Sequence, residues 1–271
     1  MDRELIRHYR ELYENHWWFN VREQVILELL RRRQPPGGWK TILDVGCGDA
    51  LFFPELMRLG DVEGVEPVAD AIGADNPFRG RIHTGPFDES FHPNKRYSLI
   101  LMLDVLEHLK DPAAALRQAV SLLQPGGSLL VTVPAFRLLW TSHDRLNDHF
   151  TRYTKGSFRL VAQEAAMNIS EARYLFFWLF LAKLGVRAKE CILGSKPTVP
   201  RVPPPGLNRF LLWVSRLEER VLGKLPIPFG SSLLVFGRAD LNETPGQSPT
   251  DTRPSMRPEM RESVPQDAFH R

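Results

Sequence analysis

The possible folds of this chain are limited most by one stretch, Thr41-Ile-Leu-Asp-Val-Gly-Cys-Gly-Asp-Ala50. Its first five residues favour a β-strand and carry an acid, Asp44, near their carboxyl end. Gly46 and Gly48 then permit a sharp turn and let a ligand approach bare backbone. A helical pattern follows over residues 50–59. Together these segments predict a nucleotide-type site on which backbone N–H groups and the helix dipole converge.

Strand-like and helix-like segments alternate after this stretch. The pattern predicts strands at 61–66, 81–84, 97–103, 128–133, 169–177 and 231–237, and helices at 68–74, 111–123 and 154–167. The run at 97–103 is apolar throughout, which is typical of a strand buried on both faces of a parallel sheet. This order predicts a doubly wound parallel sheet with its ligand at the carboxyl ends of the strands.

The segments around this alternation suggest a division of the chain. Residues 1–38 are predicted to form an N-terminal helical lid that breaks near His16-Trp-Trp-Phe19. The paired tryptophans are expected in the core, with an aromatic lid over a ligand as the alternative. Residues 39–241 form the predicted main domain, with a helical cap inserted at about 178–225. Five prolines and few apolar residues predict a disordered tail at 242–271.

Composition excludes several classes of protein. The net charge of +3 identifies no partner by itself. Two cysteines, Cys47 and Cys191, provide neither a disulfide framework nor zinc spacing. Since Cys47 lies inside the glycine turn, a reduced cytosolic setting is expected. The first residues contain no apolar signal region, and no uncharged apolar run reaches the roughly 20 residues of a spanning helix. We therefore expect a cytoplasmic protein, soluble or peripheral to the inner face of the membrane.

Two kinds of cofactor compete for the glycine turn. A nicotinamide dinucleotide fingerprint needs a small residue where this chain has Leu51, and an acid two residues before the first glycine is unusual for it. Asp44 with Gly46-Cys47-Gly48 instead resembles the first motif of class I S-adenosylmethionine-dependent methyltransferases.

Further segments extend this resemblance over about residues 40–135. Glu66 ends the second strand, where the family holds both ribose hydroxyls with an acid, and a carboxylate has two acceptor oxygens for such a diol. The segment Leu103–Pro112 resembles the fourth-strand motif, and Pro125-Gly126-Gly127 resembles the turn into the fifth strand. The resemblance implies a Rossmann-like, seven-stranded, mainly parallel sheet with an antiparallel last strand, and S-adenosyl-L-methionine as cofactor.

The residues carried over from the resemblance form a predicted donor site. They are Asp44, Gly46, Cys47, Gly48, Glu66, Leu103 and Asp104. Ala50 stands where the family often has a third glycine, and we expect only a slight change in the fit of the cofactor. Asp88 is a candidate for the acid that often meets the adenine amino group. Arg22, which follows the aromatic segment, is a candidate for the donor's carboxylate.

The predicted acceptor site lies after the fifth strand. Residues 143–153, His-Asp-Arg-Leu-Asn-Asp-His-Phe-Thr-Arg-Tyr, resemble a connection in a bacterial subgroup of the family that acts on small molecules or lipids. His143 and His149 are candidate general bases, because a histidine near its reference pKa can accept a hydroxyl proton at neutral pH. Asp104 is predicted to help orient the acceptor. The alternative, which is compatible, is that Asp144, His149, Arg152 and Tyr153 form a hydrogen-bonded network that holds the loop.

A metal ion is an alternative for the residues after the fourth strand. Asp104, Glu107 and His108 resemble the divalent-metal motif of ubiquinone-pathway O-methyltransferases. Carboxylates suit Mg²⁺, for which histidine is an unusual ligand. Because the Glu-His pair occurs in the larger family without metal, the predicted site contains none.

The segment 173–225 differs in charge from the rest of the chain. It contains ten Lys or Arg residues and three acids, a net charge of +7, which leaves −4 elsewhere. Its apolar start, 174–182, is too short to span a bilayer. A basic segment with an aromatic apolar face suits peripheral membrane contact or a lipidic acceptor pocket. The alternative is that the apolar residues are buried against the sheet. We favour burial for 174–177, while both interpretations stay open for 178–184 and 210–213.

These observations together predict a function. We expect S-adenosyl-L-methionine-dependent methyl transfer to a small-molecule or lipid-linked acceptor, with an O-methyltransferase favoured. Such transfer mainly requires that donor and nucleophile be held collinear and in contact. The alternative is a non-catalytic S-adenosylmethionine-binding protein or a membrane-peripheral scaffold. A membrane is a predicted partner through residues 174–225, and nucleic acid is not, because no extended basic face carries interleaved aromatic residues.

Overall fold

The structure, a computed structural model, describes residues 3–193, 201–223 and 225–239. The described residues belong to one compact unit, Met1–Asp240. The predicted disordered tail at 242–271 lies outside the described residues, as does part of the predicted cap, 194–200.

Helices and strands alternate through most of the described chain. In chain order the elements are α1 (Arg3–Asn15), α2 (Trp17–Arg33), β1 (Thr41–Val45), α3 (Phe53–Leu56), β2 (Asp61–Glu66), β3 (Ile82–Thr84), β4 (Tyr97–Leu103), α4 (Pro112–Leu122), β5 (Leu123–Pro134), α5 (Ser142–Leu146), α6 (Lys155–Glu164), β6 (Met167–Leu175), α7 (Phe177–Leu193), α8 (Pro205–Leu222) and β7 (Ser232–Ala239).

The strands form one seven-stranded sheet in the order β3-β2-β1-β4-β5-β7-β6. The first five strands in this order are parallel, and β7 runs antiparallel to both β5 and β6. The predicted doubly wound sheet with an antiparallel last strand is therefore confirmed. The chain leaves β1 towards β2 and β3 and returns to β4 on the other side of β1. Ligands of such sheets bind where the strand order reverses, at the carboxyl ends of β1 and β4.

Side chains of the parallel strands alternate between two cores. Ile42 and Leu99 belong to a core that includes α2. Leu43 and Ile100 belong to another core, which includes α4 and α6. Since α2 buries seven of its seventeen residues, it is part of the first core rather than a loose cover. Residue 38, the predicted boundary of the lid, does not separate α2 from the core.

The predicted helix at 50–59 is wrong, because the helix here, α3, contains only four residues. Ala50 has a φ of +53°, a left-handed conformation that cannot begin an α-helix. Pro54 stands at the start of α3, where its missing N–H is tolerated. Because a four-residue helix has only a small dipole, the prediction that a helix dipole points at the glycine turn is also wrong.

The two helices of the cap, α7 and α8, are joined to each other and to α2. The Glu218 carboxylate of α8 accepts hydrogen bonds from the N–H groups of Phe177 (3.0 Å) and Trp178 (2.6 Å) at the start of α7. The Trp178 ring also packs against Trp17, with 5.3 Å between ring centroids. Among the described residues, no helix is both long and apolar enough to cross a membrane.

Candidate functional site

A cavity of about 340 Å³ lies at the carboxyl end of β1. It is lined by Arg10, Tyr13, Phe19, Arg22, Glu23, Ile26, Asp44, Gly46, Cys47, Gly48, Asp49, Leu51, Phe52, Ala71 and Leu103. Its volume is in the range of small-molecule sites, which begins at roughly 300 Å³. Five of the seven residues predicted for the donor site therefore line one cavity, at the end of the sheet where the strand order reverses.

The turn between β1 and α3 needs glycine for two physical reasons. Gly46 has a φ of +70°, and a Cβ atom there would come within 2.7 Å of Val105 Cγ2. Gly48 also has a positive φ, of +53°, and a Cβ atom there would enter open space. Ala50 adopts the same left-handed conformation although it carries a Cβ atom, at a cost of roughly 1 kcal/mol. The backbone of Gly48 is thus free for a ligand to approach closely.

Glu66 lies beside this turn and does not line the cavity itself. One carboxylate oxygen accepts a hydrogen bond from the Gly48 N–H and the other from the Val68 N–H, both at 2.9 Å. The side chain is buried, with 7% of its residue surface exposed. Each oxygen keeps a second lone pair, so two further hydroxyl donors can bind the same carboxylate.

A buried acid, Asp44, and a partly buried one, Glu23, make the cavity receptive to a cation. The pKa of Asp44 is raised to about 7. Burial is the largest cause, the Arg22 guanidinium opposes it, and the Glu66 carboxylate adds to it. Burial likewise raises the pKa of Glu23, which accepts a hydrogen bond from the Tyr13 hydroxyl at 2.5 Å. A bound cation would favour the ionised form of both acids. Burial also raises the pKa of Cys47, so its thiol is neutral at ordinary pH.

The N-terminal helices supply cavity residues that the sequence analysis missed. Arg10 forms an ion pair with Asp49, whose carboxylate also accepts the Gly73 N–H at 2.8 Å. Tyr13 and Glu23 come from α1 and α2. A helical repeat reveals which residues share a face, and it carries no information on whether that face meets a core or a ligand. Trp17 is buried in the core as expected, while Phe19 lines the cavity.

Arg22 and Asp104 form an ion pair beside the cavity. An Arg22 Nη atom lies 2.8 Å from an Asp104 oxygen and donates a hydrogen bond to Thr132 Oγ1 at 2.9 Å. The Thr132 hydroxyl donates to the other Asp104 oxygen at 3.1 Å. Arg22 was predicted to meet the donor's carboxylate, and Asp104 was predicted for both the donor and the acceptor site. The two side chains partly neutralise each other at the end of β4.

A buried network holds the loop after β5. Asp144 is fully buried and accepts hydrogen bonds from Arg152 Nε (2.7 Å), His149 Nδ1 (3.0 Å) and the Thr141 N–H (2.9 Å). Burial alone would raise the pKa of Asp144, but the bonds from His149 and Arg152 hold it well below its usual range. Arg152 also donates to the Ala135 carbonyl at 3.1 Å. The loop is therefore fixed to the end of β5.

His149 is also part of a group of possible metal ligands. Ligand atoms of Glu107, His108 and His149 lie within 4.8 Å of one another, whereas Asp104 is paired with Arg22. A carboxylate with two imidazoles suits a first-row transition ion better than Mg²⁺. Burial and the Asp104 carboxylate also raise the pKa of Glu107 well above its usual value, which favours a neutral carboxyl group in the metal-free protein.

His143 lies apart from the buried network. Its side chain is exposed and contacts Asn147 at 3.3 Å. Its pKa is lowered because neighbouring protein atoms remove water from the ring, and the Lys183 ammonium lowers it further. Lys183 extends from α7 towards the loop, and burial lowers its own pKa to about 8. The sequence contained a signal for this residue, because Lys183 is the only charged residue in 174–186.

Asp88 lies outside the cavity wall. It is exposed, and its carboxylate accepts hydrogen bonds from the N–H (2.8 Å) and hydroxyl (2.6 Å) of Ser90. These bonds hold its pKa below the usual value.

Comparison with known proteins identifies relatives of this chain. A family model described as "Methyltransferase domain" matches residues 11–171. The "Ubiquinone biosynthesis O-methyltransferase" of Rhodopseudomonas palustris (strain HaA2) is 33% identical over 97 residues, which cover 33% of this chain and 38% of that protein. The protein of the same name from Hydrogenovibrio crunogenus is 26% identical over 138 residues, covering 48% and 51%. The matched regions thus span about half or less of these relatives.

Solved structures show a similar fold. A chain of the complex that contains the Haloferax volcanii Trm112 methyltransferase activator has a TM-score of 0.55 at 16% identity, covering 89% of this chain and 96% of that chain. The [4+2]-cyclase SpnF has a TM-score of 0.51 at 16% identity, covering 83% and 86%. At these identities the similarity concerns the fold alone.

Proposed function

The chain belongs to the methyltransferase domain family, and from this premise we propose that it transfers the methyl group of S-adenosyl-L-methionine to an oxygen atom of a small-molecule or lipid-linked acceptor. The observation that carries the proposal is the acid-lined cavity at the glycine turn, which adjoins the Arg22–Asp104 ion pair. The names of the curated relatives support an oxygen nucleophile.

The residues around the cavity fit the proposed donor. Bound there, S-adenosyl-L-methionine would supply a methyl group attached to a positively charged sulfur. This sulfur becomes a neutral thioether when the methyl group is transferred. Asp44 and Glu23 would stabilise the positive charges of the donor, and the Arg22 guanidinium would face its carboxylate. Glu66 would accept hydrogen bonds from the ribose hydroxyls beside the Gly48 backbone. Gly46 and Gly48 leave room for this approach because neither carries a side chain.

The loop network fits the proposed acceptor chemistry. When the neutral His149 ring donates its Nδ1–H to Asp144, Nε2 carries no hydrogen and can accept a proton. In the proposed step the acceptor oxygen forms a bond to the methyl carbon, the carbon–sulfur electron pair stays on sulfur, and the hydroxyl proton passes to His149. Peripheral membrane contact through residues 174–225 would suit the lipid-linked class of acceptor.

The two histidines should differ in their effect on turnover. His149→Ala is expected to lower kcat about 100-fold, because a positioned general base contributes roughly 10²- to 10⁴-fold. His143→Ala is expected to leave kcat close to the wild-type value, since its exposed ring forms no hydrogen bond with Asp144. The measurement is kcat against pH with the identified acceptor, together with the thermal midpoint of each variant. Full turnover by His149→Ala would contradict the role given to this residue.

A fold of this kind can exist without methyl transfer, as the name of the cyclase SpnF illustrates. The competing function is that of a non-catalytic, donor-binding scaffold. Purified protein incubated with methyl-labelled donor and a cell lipid extract is expected to yield labelled, O-methylated products by mass spectrometry. The His149→Ala variant should yield far less product. Tight donor binding without any labelled product from lipid or aqueous extracts would favour the scaffold.

A further inference from the structure

We propose that α8 forms a membrane-contact surface that binds the headgroup region of an anionic lipid bilayer. The helix would lie parallel to the bilayer plane, with its outer face in the interface. The proposal concerns binding alone, so it stands whether or not the protein transfers methyl groups.

The first observation is a continuous apolar stripe on the outer face of α8. Phe210, Trp213, Leu217 and Val221 recur at helical spacing and expose between 44% and 61% of their surface. Phe210 and Trp213 contact each other, with 6.3 Å between ring centroids. Exposed single apolar residues are ordinary, but a contiguous stripe with two aromatic rings is typical of an interaction surface.

The second observation is the charge beside this stripe. Arg209, Arg216 and Arg220 are all exposed, and at 3.6 residues per turn they lie along one edge of it. The acids of α8 are engaged elsewhere, because Glu218 binds the start of α7 and Glu219 pairs with Arg173 at 2.5 Å. Within the described part of the chain no acid pairs with these three arginines, and Arg216 donates a hydrogen bond to the neutral Gln24 side chain of α2 at 2.9 Å. The outer face therefore combines apolar side chains with positive charge, as interfacial helices do on anionic lipids.

The charge also favours a membrane over a second copy of the chain. Two copies meeting through α8 would bring six arginines around one contact, since each helix contributes three. The acids of α8 would not compensate them, because both bind inward-facing groups. An anionic bilayer supplies negative headgroups beside an apolar layer, which matches both halves of the face.

Vesicle flotation of the full chain tests the proposal without donor or acceptor. Vesicles of phosphatidylcholine mixed with phosphatidylglycerol are expected to carry the protein at low salt. Pure phosphatidylcholine vesicles should carry much less of it, and high salt should release it from the anionic vesicles because salt screens exposed charges. Absence of flotation on anionic vesicles at low salt would overturn the proposal.

Paired variants separate the two halves of the surface. Arg209→Gln with Arg220→Gln should lower the partition coefficient on anionic vesicles about 30-fold, since each basic residue near such a surface contributes about a factor of five. Phe210→Gln with Trp213→Gln should lower it at least about tenfold. The matched control is Arg159→Gln with Leu160→Gln, an exposed pair on α6 whose replacement should leave flotation unchanged.

Two results would contradict this assignment even if the wild-type protein floats. One is equal loss of flotation in the α6 control and the α8 variants. The other is a dimer, found by light scattering, that dissociates when Phe210 and Trp213 are replaced while flotation persists. Circular dichroism of each variant confirms that the fold is retained.

Discussion

Replacing Glu66 by glutamine is expected to weaken binding of S-adenosyl-L-methionine about 30- to 100-fold. Each hydrogen bond to a charged group contributes about 1.5–3 kcal/mol, and the variant loses one of two acceptor oxygens. Its NH₂ group would also face the N–H of Gly48 or Val68, donor against donor. Isothermal calorimetry measures the dissociation constant directly.

Glu63→Gln is the matched control for this experiment. Glu63 lies on the same strand, β2, and contacts Lys95 and Tyr97 away from the cavity. Its replacement should leave donor affinity unchanged. Unchanged affinity in the Glu66 variant as well would show that the donor assignment is wrong.

A donor analogue without the ribose 2′-hydroxyl distinguishes direct contact from support of the turn. If Glu66 contacts the diol, the wild-type protein should bind the analogue about tenfold more weakly than S-adenosyl-L-methionine. The Glu66→Gln variant should then bind the analogue and S-adenosyl-L-methionine with nearly equal affinity. Equal losses in both proteins would assign Glu66 to the turn alone.

The second large effect is expected at Asp144. Replacing it by asparagine should lower the free energy of unfolding at neutral pH by about 3–5 kcal/mol, because Arg152 would keep a buried charge without its anion. For a domain of this size the thermal midpoint should fall by on the order of 10 °C. Urea unfolding followed by circular dichroism measures the change.

The stabilisation by Asp144 should also depend on pH. Its carboxyl pKa is lower in the folded protein than in the unfolded chain, where the ordinary value is about 3.9. A depressed pKa of this kind stabilises the fold fully above the unfolded-state value, and the stabilisation is lost as the pH falls towards the folded-state value. The difference in unfolding free energy between wild type and Asp144→Asn should therefore be constant from about pH 7 to pH 5 and shrink below about pH 4.

Asp148→Asn is the control, because Asp148 is exposed in the same loop. Its replacement should change the unfolding free energy by no more than about 0.5 kcal/mol. A difference between wild type and Asp144→Asn that stays constant down to pH 3 would contradict the role of the buried carboxylate.

Local sequence signals predicted the sheet well and two helices badly. The helix expected at 68–74 is only a three-residue 3-10 turn, Ala69–Ala71. All seven strands lie close to their predicted positions, since apolar runs between turn residues reflect burial in the sheet directly. The helix at 50–59 was predicted from apolar spacing, which does not register the left-handed backbone of Ala50. Backbone conformation at a single residue decided the outcome there.

The sequence alone was sufficient to predict which residues of the glycine turn line the cavity that we propose binds the donor. Asp44, Gly46 and Gly48 occupy one short stretch, so local backbone geometry places them together at the end of β1. Glu66 follows from β2, whose parallel pairing with β1 sets the register. Contiguous motifs predict such sites because few long-range contacts are needed to assemble them.

The grouping of residues around the proposed acceptor site required the tertiary structure. Glu107 and His149 are 42 residues apart in the chain, and Lys183 comes from the cap. Packing of the loop onto β5 and of α7 onto that loop brings these residues to one region. The same packing paired Arg22 with Asp104 and left Arg209 and Arg220 of α8 exposed. Distances between distant segments depend on how all the elements pack, and residue spacing in the sequence does not encode them individually.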